Sequence, residues 1–509
     1  PARPAGGGHS RDVSPLDPNA CYRALVAHDA RFDGLFFVGV TTTGIYCRPV
    51  CRARTPGRDR CVFFRTAAQA EAAGFRSCFR CRPELAPGAA SVDAVSRVVA
   101  TAMRRIDEGA LSHEGTVDEL ARELDISTRH LRRAMQAELG VSPLALAESR
   151  RLALARQLIV DTALPMTEVA FASGFRSVRR FNAAVKARYA RSPSEKRRTM
   201  RGSGDAGETV TVTLSYRAPY DWPSMLSHLA SRAIPGVELV RDETYTRTAA
   251  VGALRGWLTV SADPTRAALR ATISTSLAGA LATVATRLRR LFDLDAEPAV
   301  IATHLARDPR LAAHVRARPG LRVAGAFDVF EAAARAVLGQ QVSVAAAGTL
   351  AGRMAAQLGE PIETPHAALD RVFPVAGVVA LRSGAALAAA LRIPARRAET
   401  LRVIAEAVSN GALALDAADD PARLIDQIVA LPGMGPWTAH ALAMRALGWP
   451  DAFPEGDLVL RKALGGISGR QARALAERWR PWRAYGATHL WAHYGAARAS
   501  TQAAGVRQP

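Results

Sequence analysis

No cysteine occurs beyond residue 81 of the 509. Cys21, Cys47, Cys51, Cys61, Cys78 and Cys81 are the full set, so whatever the thiols do belongs to one N-terminal module. No run of about eighteen or more apolar residues appears, which excludes a membrane-spanning helix at the level of sequence. The opening "PARPAGGGHSRD" lacks the apolar core of a signal peptide. The expected compartment is therefore the cytoplasm, in association with the nucleoid, where structural disulfides are not expected. Acidic residues are also short: 46 Asp and Glu stand against 67 Lys and Arg, leaving a net charge of +21 and a pI near 10.9. The commonest physical reason for such a surplus is a polyanionic partner, although solubility or an Arg-favouring genome would produce the same count. The length and the 49% apolar content suffice for several packed cores, hence three or four domains.

Cys47 and Cys51 are separated by three residues and Cys78 and Cys81 by two, with an Arg-rich loop and the helical "TAAQAEAAGF" stretch between the pairs. Two short-spaced pairs each cover one edge of a tetrahedron, which is what a zinc ion needs. Cys21 and Cys61 lack such partners and read as buried small residues. Together "TTTGIYCRPVCRAR" and "EAAGFRSCFRCRP" resemble the N-terminal domain of the Ada family over residues 14–88. That resemblance implies one Zn2+, both structural and reactive, held by Cys47, Cys51, Cys78 and Cys81. It also implies that Cys47 accepts a methyl group from a DNA methylphosphotriester. Arg48, Arg52 and Arg54 would offset the repulsion between an anionic zinc-tetrathiolate and the phosphate backbone.

From 90 to 200 the pattern is helical. In "TVDELARELDISTRHLRRAMQAELGVSP" a short helix, a turn and a basic helix follow one another, and the order recurs around Gly174. An amphipathic helical hairpin in a core would read similarly. The tandem arrangement, with "ASGFRS" and "SPSEKRR", resembles the AraC-type DNA-binding domain. Its recognition helices would begin near Ser127 and Ser177 and turn Arg129, His130, Arg132, Arg133, Arg179, Arg180 and Asn182 to DNA.

Residues 1–13 are expected to be disordered and 201–207 to form a linker. The strand-like "TVTVTLSYRAP" opens an α+β antiparallel-sheet domain over 208–296, and an all-α domain follows over 297–500. In "LPGMGPWTAHALAMRAL" Gly433 and Gly435 let backbone amides approach a phosphate at the start of a helix. Asp457 follows in "FPEGDLVLRKAL", where an Asp is ordinarily an N-cap. Together these resemble the helix-hairpin-helix glycosylases, and more closely the 3-methyladenine DNA glycosylase II (AlkA) type. The resemblance implies base flipping, Asp457 as the catalytic carboxylate, and Trp437 and Trp491 in the base pocket, where either tryptophan could instead be a core aromatic. Gln341 stands where the best-known example carries an apolar wedge, which leaves the wedge role open. The Schiff-base lysine of bifunctional relatives is replaced by Trp437, which argues for a monofunctional enzyme. The absence of later cysteines excludes both an iron–sulfur cluster and an O6-methylguanine acceptor.

The expected fold is multidomain and mainly α: a small α/β zinc domain, an all-α double helix-turn-helix domain, an α+β domain and an all-α glycosylase domain. The expected function combines a methylphosphotriester-sensing transcriptional activator with excision of alkylated bases. The alternative is a regulator whose C-terminal half binds DNA without excision. The expected partners are double-stranded DNA, both alkylated and promoter DNA, and RNA polymerase; no membrane partner is expected, and the chain is expected to be a monomer.

Overall fold

The computed structural model describes residues 16–88, 97–112, 115–189, 192–200, 208–413, 415 and 421–505. The stretches 1–13 and 201–207 lie outside the described residues.

The N-terminal module is built on a small sheet of β1 (Phe37–Val40), β2 (Ile45–Cys47), β3 (Cys61–Phe64) and β4 (Arg76–Ser77), in the order β3-β1-β2-β4. β1 runs antiparallel to β2 and β3, whereas β2 and β4 are parallel, with Tyr46 opposite Ser77. A parallel pair needs a crossover. The helix Ala67–Ala72 supplies it, started by a capping box in which Thr66 and Gln69 satisfy each other's backbone amides. The pairing has a direct consequence for the cysteines: Cys47 ends β2 and Cys78 follows β4, so they emerge side by side, and the Cys78 amide donates to the Tyr46 carbonyl at 3.0 Å.

Two helix pairs follow. Val117–Glu123 and Thr128–Leu139 are joined through Asp125, whose φ is +54°. Met166–Ala172 and Val178–Tyr189 are joined through Gly174, φ +82°, where an added Cβ would stand 2.7 Å from Ser112 Oγ. Between them runs the helix Pro143–Asp161, which buries Leu146, Leu152, Ala155, Leu158 and Ile159.

A five-stranded antiparallel sheet comes next: β5 (Thr209–Ser215), β6 (Glu238–Arg241), β7 (Thr244–Val251), β8 (Leu254–Asp263) and β9 (Ala268–Ser274), in the order β5-β9-β8-β7-β6. Its inner face does not close on itself. One apolar cluster runs from Leu152, Phe181 and Val185 of the helical region to Val210, Val212 and Leu258 of the sheet. A fully buried Leu, Val or Phe contributes about 1.5–3 kcal/mol through removal from water, so this shared interior is a substantial tie.

The remaining chain is helical and has two further cores. One gathers the helices Val329–Leu338, Val344–Leu358 and Ala395–Ser409 and the hairpin helices Pro421–Val429 and Pro436–Arg445. The other gathers Leu458–Ala463 and Arg483–Gly505 around Phe453, Trp479 and Trp482. The chain is thus multidomain and mainly α, with two small sheets. Among the described residues no helix is long and apolar enough to cross a membrane.

Candidate metal centre and active site

The sulfurs of Cys47, Cys51, Cys78 and Cys81 all lie within 4.8 Å of one another. The parallel strand pair places Cys47 beside Cys78. A tight turn, with the Cys51 amide donating to the Arg48 carbonyl at 3.1 Å, brings Cys51 back to the same point. Leu25 and Val38 pack against the cluster, and Cys81 is its partly exposed member. Four crowded sulfurs cannot all ionise cheaply. Thiol hydrogen bonds from Cys51, Cys78 and Cys81, ahead of burial, push the Cys47 thiol up, while the hydrogen bond from Cys47 draws Cys51 down to about 7. A soft divalent cation at the centre removes that cost, and four thiolates suit zinc. Cys21 and Cys61 lie outside the group. Burial raises both thiols, and Cys61 Sγ donates to the Gly57 carbonyl at 3.3 Å.

Arg52 and Arg54 are exposed beside this centre. Arg48 is not offered to solvent in the same way. Its Nε donates to Asp33 Oδ1 at 2.8 Å, a second nitrogen pairs with the other carboxylate oxygen, and Nη1 donates to the Cys81 carbonyl at 3.2 Å. The outward reading of Arg48 therefore does not describe this conformation. Arg76 and Arg80, outside the set expected from sequence, are also exposed next to the second cysteine pair. Nearness to Cys78 was the available signal.

In the two helix pairs, Leu131 and Phe181 are fully buried, while Arg129, His130, Arg132, Arg133, Arg179, Arg180 and Asn182 are exposed. The alternation follows from the helical period: the buried residue fixes which neighbours face out. Ser127 caps the helix Thr128–Leu139 by accepting from the His130 amide at 3.2 Å, and Ser177 accepts from the Arg180 amide at the same distance.

The C-terminal site is assembled from three elements. Asp457 caps the helix Leu458–Ala463, its Oδ1 accepting from the Leu460 amide at 2.8 Å. Trp491, on the helix Arg483–Gly505, donates its indole N–H to the same oxygen at 3.0 Å. Trp437, at the start of the helix Pro436–Arg445, donates to Oδ2 at 3.1 Å. The structure thus brings Trp437, Trp491 and Asp457 into direct contact. Both carboxylate oxygens are fixed in direction, and Asp457 remains partly exposed, as does Trp437 at 36%. Gly433 has φ +82°, and an added Cβ would stand 2.1 Å from Thr400 Oγ1. At Gly435, which precedes the helix, an added Cβ would meet open space.

Gln341 is exposed with φ +56°, at the turn between two helices. The turn is braced in a way the sequence did not announce. The Gln340 side chain donates to the Gly433 carbonyl at 3.0 Å, and Arg397 donates to the Gln340 carbonyl at 2.7 Å. The hairpin and the Gln341 turn are therefore held in register with each other.

Residues 20–84 match the family model for the metal binding domain of Ada, 120–199 that for a helix-turn-helix domain, and 211–328 that for the AlkA N-terminal domain. A protein of Mycobacterium tuberculosis strain H37Rv, described as a probable bifunctional transcriptional activator/DNA repair enzyme AlkA, is 43% identical over 484 residues, spanning 93% of this chain and 96% of that one. The DNA-3-methyladenine glycosylase 2 of Escherichia coli K12 is 38% identical over 279 residues, 55% of this chain and 96% of its own length. The bifunctional transcriptional activator/DNA repair enzyme Ada of the same strain is 36% identical over 124 residues, 24% of this chain and 33% of its own.

Proposed function

From the premise that the chain belongs to the family of bifunctional transcriptional activator/DNA repair enzymes of the AlkA type, we propose that it senses alkylated DNA and excises alkylated bases from it. The observation that carries the reading is the Asp457 carboxylate, held by one amide and two indole N–H groups, of which that of Trp437 comes from the helix that follows the Gly433–Gly435 turn. A base modified at a ring nitrogen is cationic, and the electron-rich faces of Trp437 and Trp491 attract it beyond what they offer a neutral base. Such a base must leave the stack to be reached. As the C1′–N bond breaks, its electron pair leaves with the base and positive charge grows on the sugar. Asp457 stabilises that charge or orients the water whose oxygen bonds to C1′, the proton this water loses passing to the carboxylate and on to solvent. The Gly433–Gly435 amides hold the backbone phosphates, and Gln341, on the turn braced against the hairpin, contacts the DNA beside them.

At the N-terminal centre the reading is stoichiometric methyl transfer. A zinc ion, when bound, keeps the four sulfurs deprotonated at neutral pH. The Cys47 thiolate bonds to the methyl carbon of a phosphotriester, the C–O bond breaks, and the electron pair stays on the phosphate oxygen. Arg52 and Arg54, joined by the exposed helix arginines, Asn182 and His130, hold the duplex. We take the working units to be 14–88, 90–200, 208–296 and 297–500, in a monomer that acts at the nucleoid and engages RNA polymerase at promoters.

One incubation tests both chemistries: purified protein with methylated duplex DNA, assayed for released bases and for S-methylcysteine at Cys47. Release of 3-methyladenine supports the glycosylase reading, and retention of every base while DNA is bound would leave only the regulator. Methyl label on Cys51, or on no cysteine, would overturn the assignment of Cys47.

A further inference from the structure

Asp33 is 6% exposed and closes the short turn Ala30–Phe32. Both of its carboxylate oxygens are taken by the guanidinium of Arg48, the residue that follows Cys47. Arg48 is tied to the sulfur cluster as well: its amide donates to Cys81 Sγ at 3.4 Å and its side chain to the Cys81 carbonyl at 3.2 Å. Asp33 is fixed from behind. Its backbone carbonyl accepts from Arg217 Nε at 3.1 Å, and Arg217, 3% exposed, also donates to the carbonyls of Asp295 at 2.8 Å and Gly88 at 2.7 Å. Asp33 therefore cannot follow if Arg48 swings away, whereas Arg48 is a long side chain on a turn.

We propose that Asp33 is a positioning residue of the methyl-acceptor centre, which withholds Arg48 from DNA until Cys47 carries a methyl group. The inference rests on the methyl-acceptor reading of Cys47. Its physical basis is where the charge goes. Before transfer, the negative charge lies on the sulfurs and the phosphotriester is neutral, so Arg48 is held by Cys81, Asp33 and the field of the cluster. Transfer turns the Cys47 thiolate into a neutral thioether and the triester into an anionic diester. One unit of negative charge thus crosses from the protein side of Arg48 to the DNA side, and the guanidinium gains a phosphate partner as the cluster's hold on it weakens. Arg48 then adds one phosphate contact to those of Arg52 and Arg54.

The test measures affinity for duplex DNA as a function of salt, with the full zinc-loaded chain, before and after reaction with a methylphosphotriester oligonucleotide. The penalty of Arg48→Ala should be about tenfold larger after methylation than before, and the methylated variant should show a salt slope shallower by about one phosphate contact. Asp33→Asn should bind about tenfold more tightly than wild type without any methylation, with a steeper salt slope, and adding Arg48→Ala should reverse that gain. An equal Arg48→Ala penalty in both states, or an Asp33→Asn variant with wild-type affinity and slope, would overturn the proposal. Zinc content is measured on each variant; should Asp33→Asn lose the metal, the two-state Arg48→Ala comparison decides. Mass analysis of Cys47 separates the two failures. No methyl on Cys47 defeats the acceptor reading, and the Asp33→Asn arm, which needs none, then judges the hold on Arg48 by itself.

Discussion

Asp457 is at once a helix cap and the acceptor of two indole N–H groups, and these roles respond differently to Asp457→Asn. As a cap, Asn serves nearly as well, and stability should change by only a few tenths of a kcal/mol. As the electrostatic partner of a developing cation it is not equivalent. Release of 3-methyladenine should fall roughly a hundredfold or more, while binding to a non-hydrolysable abasic analogue weakens much less. Near wild-type release by the Asn variant would reduce Asp457 to a cap. The tryptophans allow a second comparison, because Trp491→Phe keeps a large ring and deletes the donor. A hydrogen bond to a charged acceptor contributes about 1.5–3 kcal/mol to the folded state, so the melting temperature should fall in this variant, and base release should drop about tenfold or more because the carboxylate loses a group that aims it. A lowered melting temperature with unchanged base release would leave Trp491 a packing residue. Of this site, the Asp and both rings were legible through the family pattern. Their hydrogen bonds were not, because the partners are 20 and 34 positions away from Asp457. The pairing of Arg48 with Asp33 is hidden for a related reason: Asp33 lies 15 residues from Arg48 in sequence.

At the level of elements, what the sequence made legible was local. The two short cysteine spacings, the capping residues before the basic helices and the glycine at the hairpin all act within a few positions, and the structure uses each of them. The parallel pairing of β2 with β4, which puts Cys47 next to Cys78, depends on a crossover that no spacing rule specifies. Gly433→Ala forces a left-handed backbone on a residue with a Cβ and drives that carbon into Thr400. Denaturant unfolding should report a loss of about 1–2 kcal/mol or more, together with weaker DNA binding. The helix Arg483–Gly505 carries Trp491 and also His489, which burial, with help from His314 and Arg318, holds down at about 4. A histidine depressed in this way favours the folded state above its unfolded value of 6.5. As pH falls from about 6.5 to about 4, the unfolded chain takes up a proton that the folded chain refuses, and stability is lost over that window, on the order of 2–3 kcal/mol. Thermal melts at pH 7 and pH 5 should show the decline, and His489→Gln should reduce it, the remainder coming from His440 and His228, which burial also holds down.

Over the whole molecule, buried arginines do much of the joining. Arg156, 1% exposed on the helix Pro143–Asp161, donates to the carbonyl of Cys78, a member of the four-cysteine cluster, at 2.8 Å and pairs with Glu84 at 3.0 Å. Arg217 gathers carbonyls from residues 33, 88 and 295. These contacts link positions up to 184 apart in sequence, which is why a reading that proceeds along the chain sees modules and misses their union. Breaking a buried pair of this kind costs about 3–5 kcal/mol. Arg156→Ala should therefore lower the melting temperature, and removal of the metal by a chelator should do the same to the N-terminal transition, since a small metal module draws much of its folding free energy from the ion. The apolar cluster shared by Phe181, Val185, Val210 and Val212 has a consequence of another kind. If the gene were divided within codons 201–207 and the two pieces made as separate polypeptides, each would display the greasy face that belongs against the other. Alone, each piece should be poorly soluble; produced together, they should find one another, so that repair activity would rise more steeply than linearly on dilution series read from low to high concentration, as for a heterodimer assembled by mass action.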